Sequence, residues 1–363
     1  MPVNRTAEAG VHSGAAVTDE FLSATTVTFA AMVLFDALSS DEQDRLLTSF
    51  DDRDRFHWNF LPEAGRGRRG IPLRDLDHPK QILVHRLVAA SLSLEAYARF
   101  LQIINLEHLL REMDQPVFGH VAAGFRDPGA YFLSFFGKPG PDVSWGWRLV
   151  GHHVSMNFTI IGQEQLVGTP FLFGSEPGRF GPMRPLAEEE ELGFRVLHAL
   201  EGQQRRSAVI HSVSPPDFVT ACRPKIGAVE KPALHGDARR DVIITPEDAE
   251  ELRYERDNPR GIPISDMPSQ AQQAFEDLLR CYLNRLPEVW RDREWRRIED
   301  TARDRLYFAW AGAEDASDGH YYRIQGPHTL IEFNNTEGDA NHVHSVLRDP
   351  DGDFGLQALG DDI

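Results

Sequence analysis

Two short histidine clusters, far apart in the chain, carry the residue types best suited to chemistry. The first is Gly151-His152-His153-Val154-Ser155-Met156-Asn157 and the second is Asn341-His342-Val343-His344-Ser345. Both read as β-strand. Side chains alternate along a strand, so His342 and His344 point to one face, about 7 Å apart at Cα. Two imidazoles placed in this way can share one metal ion. On the first segment His153, Ser155 and Asn157 share a face, with His152, Val154 and Met156 on the other. The polar companions favour His153 as a ligand, and a bulge at Gly151 would bring in His152 as well. Glu332 lies on a strand joined to the second cluster by a short loop, where it can sit beside or diagonally across from His342 or His344. His153, His342, His344 and Glu332 would hold a divalent metal (zinc, iron or copper) and leave a position open, as a catalytic site requires. The plainer alternative is core histidines bonded to backbone and an exposed glutamate.

Two reactions suit such a set. In a hydrolase the metal lowers the pKa of its bound water to about 7 and Glu332 takes the proton. In a non-haem iron or copper oxygenase the same ligands leave room for dioxygen and substrate. Hydrolysis of a small-molecule substrate needs fewer parts and is the leading expectation. Asp349 is placed to orient a ligand imidazole, and Arg348 or Arg323 to hold an anionic substrate group. Trp145, Trp147, Asn157, Tyr322 and Arg323 are candidate substrate contacts. A third reading is non-catalytic: Trp58, Trp145, Trp147, Tyr321 and Tyr322 would wall a ligand pocket, or simply pack in the core. The run Asp349, Asp351, Asp353 lacks the glutamate that a calcium-binding loop needs at its twelfth position and reads as a turn. The chain has no Gly-x-Ser-x-Gly elbow, phosphate-binding Gly-Lys-Ser/Thr loop or His-Glu-x-x-His helix.

The elements that must position these residues follow from periodicity and punctuation. Residues 1–18, small and polar, are expected to be disordered. Residues 19–125 read as helical: a helix over 19–38, another opened by Ser39 with Glu42 completing a capping box, then helices over 78–93 and 94–114. Residues 126–363 form an α+β region, expected to make one integrated domain with the helical part. It holds strands at 131–136 and at 145–161, the latter one long strand. Helices follow over 185–203, 246–257 and 268–300. Four short strands (306–310, 320–324, 329–334 and 341–347) make a meander. No internal repeat is seen. The expected class is α+β: an antiparallel sheet or barrel-like core built from the central and C-terminal strand groups, with helices flanking.

Composition narrows the partners. Lysine and arginine total 38 against 56 acidic residues, a formal charge of −18. No basic stripe is available to neutralise phosphates, so nucleic acid is not expected. Two cysteines, Cys222 and Cys281, make no disulfide framework. No apolar run is long enough to span a bilayer, and residues 1–18 contain no apolar leader core. A cytoplasmic protein without membrane contact is expected.

The motif set also carries a resemblance. Trp145-Gly146-Trp147, Gly151-His152-His153, Asn157, Thr169-Pro170-Phe171, Gly174 and Pro177 belong to it. So do Phe308-Ala309-Trp310, Tyr321-Tyr322-Arg323-Ile324, Ile331-Glu332, His342-Val343-His344-Ser345, Arg348-Asp349 and Asp353-Phe354-Gly355. Together, from about Leu38 to Leu359, they resemble the uncharacterised bacterial and fungal family known as domain of unknown function 3500. The resemblance implies no activity. Many of the family's members look secreted, whereas this chain shows no leader. The positions that carry it coincide with the histidine clusters reached by spacing, which implies a shared site.

Overall fold

The computed structural model describes residues 19–62, 68–119, 122–162, 164–236 and 242–360; the expectation for residues 1–18 lies outside them. Eight strands form the body: β1 Phe132–Phe136, β2 Trp145–Gly151, β3 Val154–Ile161, β4 Phe171–Ser175, β5 Tyr307–Gly312, β6 His320–Gln325, β7 Leu330–Thr336 and β8 His342–Arg348. They lie in the order β1-β2-β3-β4-β8-β7-β6-β5, each antiparallel to its neighbours. The central and C-terminal strand groups are therefore one sheet, joined where β4 pairs with β8. The sheet stays open, which removes the barrel alternative. With its flanking helices the chain is α+β.

The main helices are α1 Asp19–Ala37, α2 His78–Ser91, α3 Leu94–Phe118, α4 Ala187–His198, α5 Ser269–Leu283 and α6 Glu288–Thr301. The helix at Ser40–Leu46 starts as the sequence predicts, with both hydrogen bonds of the Ser39–Glu42 capping box formed. The helix expected over 268–300 is two helices. Pro287 lies between them and N-caps α6, because proline offers no N–H to continue α5. The helix expected over 185–203 stops at His198, and a separate short helix, Gly202–Ala208, follows. The one expected over 246–257 is confined to Pro246–Leu252.

Both faces of the sheet are covered. Phe171, Phe173 and Leu347 enter the main core with Leu34, Leu87, Phe100 and Leu278 of the helices. Leu172 and Val346, on the opposite face, pack under Trp58, Phe60, Phe218 and Phe354 of the long loops. β2, β7 and nearly all of β8 are buried along their length, so polarity does not alternate as it would in a sheet with one wet face.

Two sequence readings are corrected here. Residues 145–161 are not one bulged strand. Gly151 pairs with Val154, and His152 and His153 form the tight turn between β2 and β3. His153 turns the chain with φ 61°. Gly151 must be glycine because a Cβ there would lie 2.3 Å from the Tyr131 ring.

The second correction is that the chain does repeat itself. β1–β4 and β5–β8 are the same meander, related by a pseudo-twofold axis through the sheet at the Phe171–Leu347 pair. Registers match: Arg148 opposes Asn157 as Arg323 opposes Glu332, and Ser155 opposes Leu172 as Leu330 opposes Arg348. The flanks match too. Leu47–Thr48 runs parallel to β1 and Val209–His211 parallel to β5, while Ile71–Pro72 and Ile262–Pro263 pair antiparallel with the same two strands. Gly70 (φ 98°) and Gly261 (φ 108°) precede those segments, and a Cβ on either would sit 2.2 Å from a backbone oxygen, of Leu133 or Phe308. The turn Gly151-His152-His153 thus has Gly326-Pro327-His328 as its twin.

Candidate metal centre

The site forms where the two halves meet. β8 presents His342 and His344 on one face, and His344 pairs across the seam with Gly174 of β4. Gly174 leaves the space that the His153 ring fills: a Cβ there would be 2.6 Å from His153 Cδ2. The turn is held from three sides. The Tyr131 hydroxyl donates to the His152 carbonyl at 2.8 Å, His153 N–H donates to the Phe60 carbonyl at 2.9 Å, and Gly174 N–H donates to the His153 carbonyl at 2.7 Å. A left-handed backbone at a residue other than glycine persists only where its surroundings over-determine it, and these three bonds do so.

The result is a cluster in which His153, His342 and His344 each offer a ring nitrogen within 4.8 Å of the others. His153 Nε2 and His342 Nε2 are 2.8 Å apart. Carboxylates hold the outward nitrogens of two rings: Asp217 Oδ1 lies 2.8 Å from His344 Nδ1, and Glu337 Oε2 lies 3.3 Å from His342 Nδ1. A carboxylate on one ring nitrogen sets the tautomer and raises the basicity of the other, as in carboxylate–histidine–metal groupings. His344 Nε2 is buried with no hydrogen-bond partner among the described residues. Phe60 packs on His344 with ring centroids 4.4 Å apart, and Phe218 stands edge-on at 6.3 Å.

Electrostatics favour a cation here. Burial, then the neighbouring His152, His342 and His344, push the His153 pKa well below the ordinary histidine value, leaving a neutral ring. Burial opposes charge on His344 as well, but the charge and hydrogen bond of Asp217, with Glu337 and Glu176 behind it, raise its pKa. The cluster thus draws positive charge to its inner end, and a metal ion would replace that proton. The donor set fits a divalent metal: three imidazoles, two orienting carboxylates and, among the described residues, no fourth histidine grouped with the three.

The His152 ring lies against that of His153, with centroids 3.7 Å apart, but its nitrogens bond into a separate buried polar group. Its Nδ1 is 2.5 Å from Glu107 Oε1, and Arg126 Nη1 lies 2.8 and 3.0 Å from its two ring nitrogens. Arg126 also pairs with Asp114 at 2.8 Å and Glu176 at 3.5 Å. Burial, against the pull of Arg126, moves the Glu107 carboxyl up to about 8. His152 can join a second grouping with His153 and Glu176, but the fixed charge of Arg126 there disfavours a second cation. Glu176 and His153 each offer a ligand atom within 4.8 Å of the other, so Glu176 is a carboxylate within reach of His153.

The remaining sequence candidates lie elsewhere. Glu332 is not a ligand: Oε1 accepts from Val219 N–H (2.6 Å) and the Tyr321 hydroxyl (2.7 Å), and Oε2 from Thr220 N–H (3.1 Å) and the Thr220 hydroxyl. Fully buried, it anchors the loop that carries Asp217. Arg348 pairs with Asp353 at 2.7 Å and lies over Trp58; Asp349 accepts from Arg297 at 2.8 Å. Asn157 donates to the Pro170 carbonyl at 2.9 Å. Tyr322 bonds to Tyr282 and to the Glu189 carbonyl, and Arg323 to the Leu252 and Arg253 carbonyls. Trp145 and Trp147 are core residues. The five aromatic residues expected to wall one pocket are split among three separate clusters. Asp217, Glu337, Glu176, Glu107 and Arg126 were not singled out from sequence. A signal existed for Glu107 alone, which falls among Ile103 and Leu110 on the apolar face of α3.

A model of the family described as "Protein of unknown function (DUF3500)" matches residues 22–356. No curated protein and no solved structure matches the chain.

Proposed function

Because the chain belongs to the DUF3500 family, whose description carries no reaction, we propose from the site itself that it is a metal-dependent hydrolase of a small-molecule substrate. His153, His342 and His344 hold one divalent ion, zinc by preference for an all-nitrogen set with an open position. Bound there, the ion would supply a water acidic enough to act near neutral pH, and Glu176, within reach of His153, is the carboxylate that would take its proton. The Glu107–His152 pair, with its proton on the carboxyl, is the reserve from which a leaving group is protonated. Asp217 and Glu337 position the ligands.

One observation carries this reading above the rest: His344 Nε2 is buried and unpartnered while Asp217 fixes the opposite nitrogen. An unsatisfied buried nitrogen is costly unless something binds it. The test is elemental analysis of protein purified without a histidine tag, wild type beside His344→Ala. Near-stoichiometric zinc that disappears in a still-folded variant supports the proposal. Iron or copper in place of zinc sinks hydrolysis in favour of oxidation. No metal in either protein, after growth with all three, sinks the metal site.

A further inference from the structure

The pseudo-twofold axis that repeats the meander also repeats the place where the metal centre sits. At the twin place, beside the Gly326-Pro327-His328 turn, there is a cavity of about 320 Å³ lined by α6, the turn, the end of β8 and the segment 165–169. The residue types have changed. Val167 pairs with Thr159 as His344 pairs with Asn334, so Gln165 and Val167 stand where the metal centre has His342 and His344. His328 corresponds to His153 and has no second histidine beside it in the lining. The twin cannot hold a metal in the same way.

Instead it is built for an organic ligand. One part of the wall is aliphatic, with Leu166, Val167, Leu283, Leu286, Ile298 and Leu347. The other part is rich in donors. Thr169 Oγ1 and His328 Nδ1, buried atoms of two lining residues, have no hydrogen-bond partner among the described residues, whereas the Arg348 guanidinium is turned to Asp353, the Arg223 carbonyl and Trp58. Arg293 and Arg297 line the cavity together with two carboxylates, Glu294 and Asp349. Both carboxylates are already tied to Arg297, at 2.7 and 2.8 Å. Unsatisfied buried donors beside an apolar wall call for a ligand with acceptor oxygens at one end and hydrocarbon at the other.

We propose that this cavity is a second, metal-free site that binds a small organic acid, its carboxylate toward Thr169, His328 and the Arg293 guanidinium and its apolar body against the leucines. The site is distinct from the metal centre and independent of the reaction assigned to it.

Benzoate and hexanoate are suitable probes, with benzyl alcohol and hexanol as uncharged counterparts, titrated by calorimetry into the full chain. At least one acid is expected to bind saturably with a dissociation constant of about 1 mM or tighter, and its alcohol at least about tenfold more weakly. Ala358→Trp, an exposed position at the cavity's edge, plugs the site without touching the core and is expected to abolish binding. His328→Leu is expected to weaken it. In His344→Ala, which disables the metal centre, binding is expected to persist. No saturable heat with either acid up to about 20 mM overturns the proposal, as does equal binding of the alcohols. Unchanged binding in Ala358→Trp, or loss of binding in His344→Ala, overturns it by placing the acid elsewhere.

Discussion

The two halves of this molecule share a backbone plan but not a chemistry. Each places a Gly-x-His turn beside the central strands. In the first half the ring of His153 lies over Gly174 and meets two histidines brought by β8 of the other half. In the second half His328 faces Leu347 and Val167 across a cavity. Hydrogen-bonding registers match except where the first half breaks between Val167 and Phe171 and shifts by one residue against β3, so most of the difference comes from a handful of side chains. A sheet frame is set by backbone pairing and core packing, which tolerate many sequences. A metal centre needs particular donor atoms within a few ångströms. The same fold can keep the first and lose the second.

Four measurements would break or sharpen this contrast. The largest effect is on metal: His153→Ala is expected to lose nearly all bound metal, whereas the twin substitution His328→Ala leaves the stoichiometry unchanged. Equal loss in both would end the asymmetry.

Next comes pH. Glu107 has its carboxyl raised from 4.5 to about 8 by burial. A carboxyl raised in the folded state stabilises most below its unfolded pKa, and that stability drains away as pH climbs through the folded value. Chelator-treated wild type should therefore lose stability relative to Glu107→Gln between about pH 5 and 8, by an order of ~3 kcal/mol in denaturant titrations. His152 and His153, held neutral by burial, act with the opposite sign but are common to both proteins. A difference that is flat or grows in favour of the wild type over that span contradicts a buried neutral carboxyl.

A smaller effect is expected from Asp217→Asn, which keeps the shape of the contact to His344 but removes its charge. Metal affinity should drop about 10–100-fold, read by competition with a chromogenic chelator. An unchanged affinity would leave Asp217 with a purely structural role.

The smallest difference compares the twin glycines. Gly151→Ala drives a Cβ into the Tyr131 ring, held rigid by its bond to the His152 carbonyl, and should cost about 1–3 kcal/mol. Gly326→Ala meets the flexible tip of Leu306 at 2.5 Å and should cost less, about 1 kcal/mol. Chemical denaturation of both would rank them, and the opposite order would mean that the first turn is not tightly held.

Much of the fold was legible in the order of residues. The capping box at Ser39, the helices around residues 78 and 94 and the four-strand C-terminal meander depend on local propensity and short-range hydrogen bonds. The repeat was not legible. Its halves conserve register and glycine contacts while few side chains coincide beyond Gly-Ile-Pro and the paired Arg148 and Arg323. A turn was mistaken for strand at His152-His153, since two bulky residues there carry no turn signal and one adopts a backbone that glycine or asparagine would favour. Boundaries of the long charged helices missed Pro287 as a stop.

For the site, residue type and spacing alone determined that His153, His342 and His344 were the candidates, because alternation on β8 puts two imidazoles on one face whatever the rest of the chain does. Only the tertiary structure decided the remainder. It spent Glu332 on a loop, turned His152 toward Glu107 and Arg126, and brought Asp217, Glu337 and Glu176 to the three rings. Asp217 and Glu176 arrive from segments far away in sequence, whereas Glu337 lies in the turn just before His342. No local pattern encodes which loop lands on which ring, because that depends on the seam between β4 and β8 and on the space left there by a single glycine.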